Sequence, residues 1–209
     1  MTDHSIARPG RGRRPKDEVR GAVIEAAAAL LFETGLSGFT IEKVAERAAV
    51  SRVTIHRWWP SKGALAFDVY RESIEQQLNI ADSGDVWSDL RAALRSFVQV
   101  MTTTPAGRLL REFVGLAQLD ADLRGSFVEH YARRRREHAT TRIVEAQRVG
   151  QIRRDVDPNS IVDQLWGACY HRLLTSDVPV TTEFSDQLVD DVMRGVRVDN
   201  REERAATHA

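Results

Sequence analysis

The chain has 209 residues, 42% of them hydrophobic, and a formal net charge of zero. That much apolar material can fill a core, which excludes a globally disordered chain. No uninterrupted apolar stretch approaches the roughly 20 residues of a membrane span, so no membrane partner is expected. Met1 to Gly10 hold nothing like a secretory apolar segment, and the single cysteine, Cys169, cannot close an intrachain disulfide. Both points lead to the expectation of a cytoplasmic protein, with Cys169 an ordinary core residue.

The zero net charge averages over an asymmetry. Residues 1–62 carry 11 Lys and Arg against 7 Asp and Glu, a balance of +4, and the rest of the chain carries −4. Between Arg8 and Lys16 there are five basic residues and no acid. A basic footprint confined to one end suits a nucleic-acid-binding module there.

Taken in chain order, residues 1–16 (with Arg11, Arg13 and Arg14 among glycines and prolines) predict a basic flexible arm. Val23, Ala27, Leu30 and Leu31 recur at helical spacing, which predicts a helix over Asp17–Thr34 with its stop at Gly35. Thr40 reads as the N-cap of a helix over Ile41–Ala48. Ala49 and Val50 form a turn, and Ser51 caps a third helix over Arg52–Trp59, ended by Pro60. A fourth helix carries Phe67, Tyr70, Ile74 and Leu78 on one stripe. Ala81–Asp85 reads as a loop. Beyond it only helical patterns follow: one with Leu90, Leu94, Phe97 and Met101, one from Pro105, one over Ala121–Val149 stopped at Gly150, one over Asn159–Thr175, and one over Thr182–Val196. The expected fold class is all-α, with roughly nine helices. The expected domains are the arm, a DNA-binding domain at 17–62, a connecting helix at 63–80, and an effector-binding and dimerisation domain at 81–209.

The second and third helices have the form of a DNA-reading helix-turn-helix. Ile41, Val44, Ala45 and Ala48 give one helix an apolar side, and Ile55 and Trp59 give the other its inward face. Small Ala45 and Ala49 are expected at the crossing. Arg52, Val53, Thr54, His56 and Arg57 are left pointing outward, a face with no acid of its own that suits a polyanion.

The surrounding segments GRGRRP and AAAALLFETGLSGFTIEKVAERAAVSRVTIHRWWPSKGAL agree in order, spacing and caps with one family. From Arg11 to about Leu65 the chain resembles the N-terminal domain of TetR-family regulators. The resemblance implies that Thr40 and Lys62 touch phosphates, that Ser51 and the start of the third helix enter the major groove, and that the protein is a homodimer. It also implies a C-terminal helical domain for a small-molecule effector. Two positions depart from the family pattern. Ala49 stands where glycine is common, so the turn must avoid a left-handed backbone or carry strain. His56 stands where tyrosine is common, which makes that phosphate contact dependent on pH.

The C-terminal half is less informative. Its segment QRVGQIRRDVDP and the helix after it resemble, more loosely, the effector and dimerisation domain of one branch of the family. That helix has two apolar stripes, Ile161, Leu165, Ala168 and Cys169, and Val162, Trp166, Tyr170 and Leu173. One stripe is expected in the protomer core and the other against a second subunit. Arg133 to Arg136 point in four directions and read as a solvated helix, partly paired with Glu129 and Glu137. Phe97, Met101, Phe113, Leu116, Trp166 and Tyr170 are the candidates for an effector pocket. His130 and His138 lack companions for a metal site, and no phosphate loop or nucleophile elbow is present, so no cofactor, metal or catalytic residue is expected. The leading expectation is a ligand-responsive repressor that binds a palindromic double-stranded operator. An activator or effector-independent regulator of the same fold, and a helical small-molecule-binding or enzymatic protein, are the alternatives.

Overall fold

The computed structural model describes residues 15–74 and 79–197. The arm residues Arg11, Arg13 and Arg14, and Leu78 of the fourth stripe, lie outside the described residues. The elements in order are α1 (Lys16–Gly38), α2 (Ile41–Arg47), α3 (Arg52–His56), α4 (Lys62–Ile74), α5 (Val86–Thr103), α6 (Pro105–Ala117), α7 (Ala121–Phe127), α8 (Arg133–Arg148), α9 (Pro158–Val162), α10 (Ala168–Thr175) and α11 (Thr182–Val196). A π-helical turn, Val128–Ala132, joins α7 to α8, and another, Asp163–Gly167, joins α9 to α10. Counting each joined run as one helix gives nine helices, and no strand occurs among the described residues. The protein is all-α, as its periodicity predicts. No helix of the described residues is long and apolar enough to cross a membrane.

Caps set most boundaries. Thr40, Ser51, Asp85, Thr104, Asp120, Asp157 and Thr181 each accept a backbone N–H from the first turn of the helix that follows. Each such bond satisfies a donor that would otherwise be orphaned. Gly35 interrupts α1 at φ 67° and ψ −176°, a region essentially reserved for glycine. Gly150 takes φ 79° just beyond α8. The long helix predicted over 121–149 and that over 159–175 are both continuous, but each contains a π turn that a simple 3.6-residue period does not reveal.

Three differences from the sequence reading have physical causes. Helical hydrogen bonding in α3 closes at His56, and Arg57 and Trp58 form a turn ahead of Pro60, so the third helix is shorter than predicted. Ala48, not Ala49, is buried with Ala45 at the α2–α3 crossing, because Ala49 leaves the helix in a left-handed conformation (φ 54°) and points outward. In the run from α9 to α10, Ile161, Val162, Leu165, Trp166 and Cys169 are all buried inside the single protomer. Most of both apolar stripes thus finds cover without a partner, while Ala168, Tyr170 and Leu173 stay half-buried.

The fourth helix is more than a connector. Its described part buries Phe67, Val69, Tyr70 and Ile74 and packs against both α1 and α7. Phe67 stacks on Phe113 of α6 at 4.1 Å between ring centroids, and Tyr70 meets Phe113 and Tyr131 edge-on. One aromatic core thus runs from the N-terminal helices into the C-terminal bundle.

Candidate functional site

The N-terminal head is built outward from two buried residues. Ile55 and Trp59 fix α3 against α2 and α4. Trp59 Nε1 donates to Asp68 Oδ2 at 3.0 Å, and Arg20 of α1 and Arg71 donate to the same carboxylate. Burial pushes the Asp68 carboxyl up, but the bonds from Arg71 and Trp59 hold it below its usual value. One carboxylate thereby ties α1, α4 and the end of α3 together.

With Ile55 inward, Arg52, Val53, His56 and Arg57 are exposed, Val53 to 74%. A valine that bare on an otherwise polar face offers an apolar contact of the kind a thymine methyl takes. Ser51 accepts the Thr54 backbone N–H at 3.1 Å, and its hydroxyl lies 2.9 Å from that of Thr54. Thr54 is half-buried, so its hydroxyl is oriented by Ser51 before any ligand arrives. The face does have an acid nearby: Glu42 of α2 accepts from Arg52 at 3.0 Å. Its own backbone N–H and then Arg52 hold the Glu42 carboxyl below the usual range. Both partners are well exposed, so the pair is weak and can be exchanged for another anion.

The expected phosphate contacts occupy two positions. Thr40 accepts the Lys43 N–H at 3.3 Å, and its hydroxyl also bonds the Glu42 carboxylate. Lys62 donates to the Leu36 carbonyl at 3.2 Å and Lys43 to that of Gly38 at 3.1 Å, so both ammonium groups sit at the frayed end of α1. Trp58, whose direction the sequence left open, packs edge-on against Trp59 at 5.8 Å and is half-buried beside Val50.

A second site lies in the C-terminal bundle. A cavity of about 340 Å³ is walled by aromatic residues of the α7–α8 and α9–α10 runs and reaches α6 through Val114. Of the six pocket candidates, Trp166 and Tyr170 line it. Phe97, Met101 and Phe113 are fully buried core residues behind it, with Phe97 stacked on Tyr170 at 5.2 Å. Leu116 is 40% exposed on the outside of α6 and takes no part. Phe127, at the end of α7, and Tyr131, in the π turn, line the cavity instead. Their spacing to one another in the sequence is ordinary helical spacing, and only the packing of α7 on α4 and α6 distinguishes them. Arg134 to Arg136 border the mouth, so the four-arginine run is more than a solvated face; Arg136 donates to Asn159 and pairs with Asp163. Cys169 is buried among apolar side chains and its thiol is pushed up to about 12, which removes it from thiolate chemistry.

A helix-turn-helix with a cationic outward face, carried on a helical bundle with an internal cavity, defines a DNA-binding transcriptional regulator. Residues 23–69 match the family described as bacterial regulatory proteins, tetR family, and residues 80–192 match the tetracyclin repressor-like C-terminal domain. The chain belongs to the TetR family of transcriptional regulators. It is 29% identical over 185 residues to the uncharacterised HTH-type regulator YdeS of Bacillus subtilis, covering 88% of this chain and 93% of that one. The DNA-binding transcriptional repressor TetR of Mycobacteroides abscessus is also 29% identical, over 85% of this chain and 94% of its own. The solved structure of the TetR family transcription regulator SCO0332 superposes with a TM-score of 0.78 at 48% identity, over 87% of this chain and all of that one.

Proposed function

We propose that this chain is a cytoplasmic, ligand-responsive repressor that binds a palindromic operator as a homodimer. The base-reading residues are Arg52, Val53, Thr54 and His56, with Ser51 and Arg57 flanking them. Thr40, Lys62 and the arm residues Arg11, Arg13 and Arg14 hold phosphates. On this reading residues 1–16 are a basic arm, 17–62 read DNA, 63–80 connect and 81–209 sense and pair. The observation that carries this reading is the α3 face, where bare Val53, Arg52, His56 and Arg57 surround a hydroxyl already oriented by Ser51. The relative named as a repressor favours the same sign of control.

Footprinting on DNA flanking the gene, followed by binding titrations, tests it. Arg52→Ala and Thr54→Ala should each weaken the operator by about 1–3 kcal/mol and leave random duplex almost unchanged. Lys62→Ala should weaken both alike and reduce the salt slope by about 0.9. A Lys62→Ala protein with altered sequence preference would show the assignments to be interchanged. Deleting residues 1–14 should lower the slope further; an unchanged slope removes the arm from the interface.

A further inference from the structure

The lining of the C-terminal cavity limits what it can hold, and the inference here rests on the reading of this protein as an effector-responsive regulator. At liquid density a water-sized group takes about 30 Å³, so the cavity's 340 Å³ accepts about a dozen non-hydrogen atoms. Phe127, Tyr131, Trp166 and Tyr170 give it ring faces, and Val114 and Leu174 add aliphatic wall. Gly167 keeps room open. It lines the cavity with a helical backbone (φ −61°, ψ −41°), and a β-carbon there would meet nothing within 4 Å. Glycine inside a helix is less stable than alanine, so the helix gives up stability at the point where the cavity gains space.

The polar groups of the lining both donate and accept. Asn79, His130 and His138 each carry a donor and an acceptor in one side chain. The hydroxyls of Tyr131 and Tyr170 lie 3.3 Å apart, and Tyr131 also bonds Tyr70, whose hydroxyl reaches Met101 Sδ at 4.0 Å. Each hydroxyl of such a chain can turn, so the chain offers an occupant either a proton or a lone pair. Burial holds the Tyr70 and Tyr170 hydroxyls well above their usual range, so neither ionises at neutral pH. The arginines of the lining are already engaged. Arg136 pairs with Asp163 and donates to Asn159, Arg71 pairs with Asp68, Arg135 lies over the Tyr131 ring, and Arg134 has an interaction of its own. An anion would have to draw them from these partners, and a cation would enter among guanidinium groups. A neutral molecule does neither.

We infer that the occupant is a neutral aromatic alcohol, a planar ring system of about a dozen non-hydrogen atoms bearing one hydroxyl. Ring faces take up the body. The hydroxyl, donor and acceptor at once, joins the tyrosine chain. The arginines keep the partners they have, so no unanswered charge leaves water when the ligand enters.

Calorimetry with the full chain at neutral pH and fixed ionic strength tests this with three probes of nearly equal shape: 2-naphthalenemethanol, 2-naphthoate and 2-naphthylmethylammonium. The alcohol should bind once per protomer, about tenfold or more tighter than either ion, since each ion buries a charge with no fresh counter-charge to meet it. Gly167→Leu should fill the cavity and abolish alcohol binding, with unchanged helical content by circular dichroism. Should that variant not fold, Gly167→Ala, favoured in a helix, must weaken the alcohol several-fold. Tyr170→Phe should weaken the alcohol several-fold and leave 2-methylnaphthalene, which has no polar group to lose, bound as in the unaltered protein. Either ion binding as tightly as the alcohol, or a Tyr170→Phe protein that holds the alcohol undiminished, overturns the ligand class. Undiminished binding by the folded Gly167 variant overturns the site. A protein that binds the alcohol but no duplex supports the ligand class and overturns the proposed regulator; one that grips its operator and takes none of the probes does the reverse.

Discussion

Ala49 holds the tight turn of the helix-turn-helix at φ 54°, where a β-carbon crowds the following carbonyl. Its side chain is exposed, so nothing in the packing requires it. Ala49→Gly should therefore raise stability by about 1 kcal/mol, seen as a higher melting temperature, with the operator still bound. A fall in melting temperature would mean that lost unfolded-state entropy outweighs the relieved strain. Gly107 is the opposite case: a β-carbon there would lie 1.8 Å from the Met101 carbonyl oxygen, where α6 turns back on α5. Gly107→Ala must push two backbones apart, and a loss of several kcal/mol, about 3 or more, is expected in denaturant titrations. Asp68 adds a pH dependence. Its folded carboxyl lies below its usual value, so its contribution is complete above the unfolded value near 3.9 and is lost as pH falls through the folded one. Melting profiles taken between about pH 6 and about pH 3 should flatten in Asp68→Asn, which no longer titrates there. The sequence showed Ala49 as an anomaly because turn chemistry is local. It could not show Asp68 as a hub, since Arg20 and Trp59 reach it from other elements.

Helix α6 joins the two sites. Its Glu112 accepts the Leu36 N–H at 2.7 Å just after the Gly35 break, and Arg108 donates to the Phe32 carbonyl at 3.1 Å. Two residues beyond Glu112, Val114 reaches the cavity wall. The end of α1, from which the reading head is hung, is thus gripped by a helix that also borders the ligand. Glu112→Ala leaves the Leu36 N–H without its acceptor and should cost about 1–3 kcal/mol in stability. It should also change operator affinity in binding titrations; an unchanged affinity would show that this grip does not set the position of the reading head. Helix existence was legible throughout, because caps such as Thr40 and Ser51 and stops such as Gly35 and Gly150 act within a few residues. The cavity was only half legible. Trp166 and Tyr170 fell on an apolar stripe that pointed to it, whereas Leu116 looked equally apolar and faces outward. Phe127 and Tyr131 sit at ordinary helical spacing, and Tyr131 lies in a π turn that no residue pattern announces.

At the scale of the whole molecule, the pairing surface must be sought away from the stripes that first suggested it. Leu165 and Cys169 are fully buried and Trp166 nearly so, which commits both sides of that helix to the protomer. α11 divides more clearly: Ser185, Val189, Val192 and Val196 are buried, while Phe184 and Leu188 are only half-buried one turn apart on another side. Leu173 is half-buried on neighbouring α10, and Leu174 and Val178 are exposed close by. Arg172 lies over the Phe184 ring at 3.4 Å, which covers an apolar surface with a flat cation suited to a protein seam. Leu188→Glu places a charge in that surface and should give monomers by sedimentation with unchanged helical content. Leu165→Glu places it in the core and should unfold the C-terminal bundle, since a buried unpaired charge is among the costliest substitutions. The two outcomes separate seam from core. The Leu188→Glu monomer should also lose operator affinity by about two orders of magnitude or more, because two linked heads raise the effective concentration of the second half-site. Equal operator affinity in the monomer would mean that one head suffices.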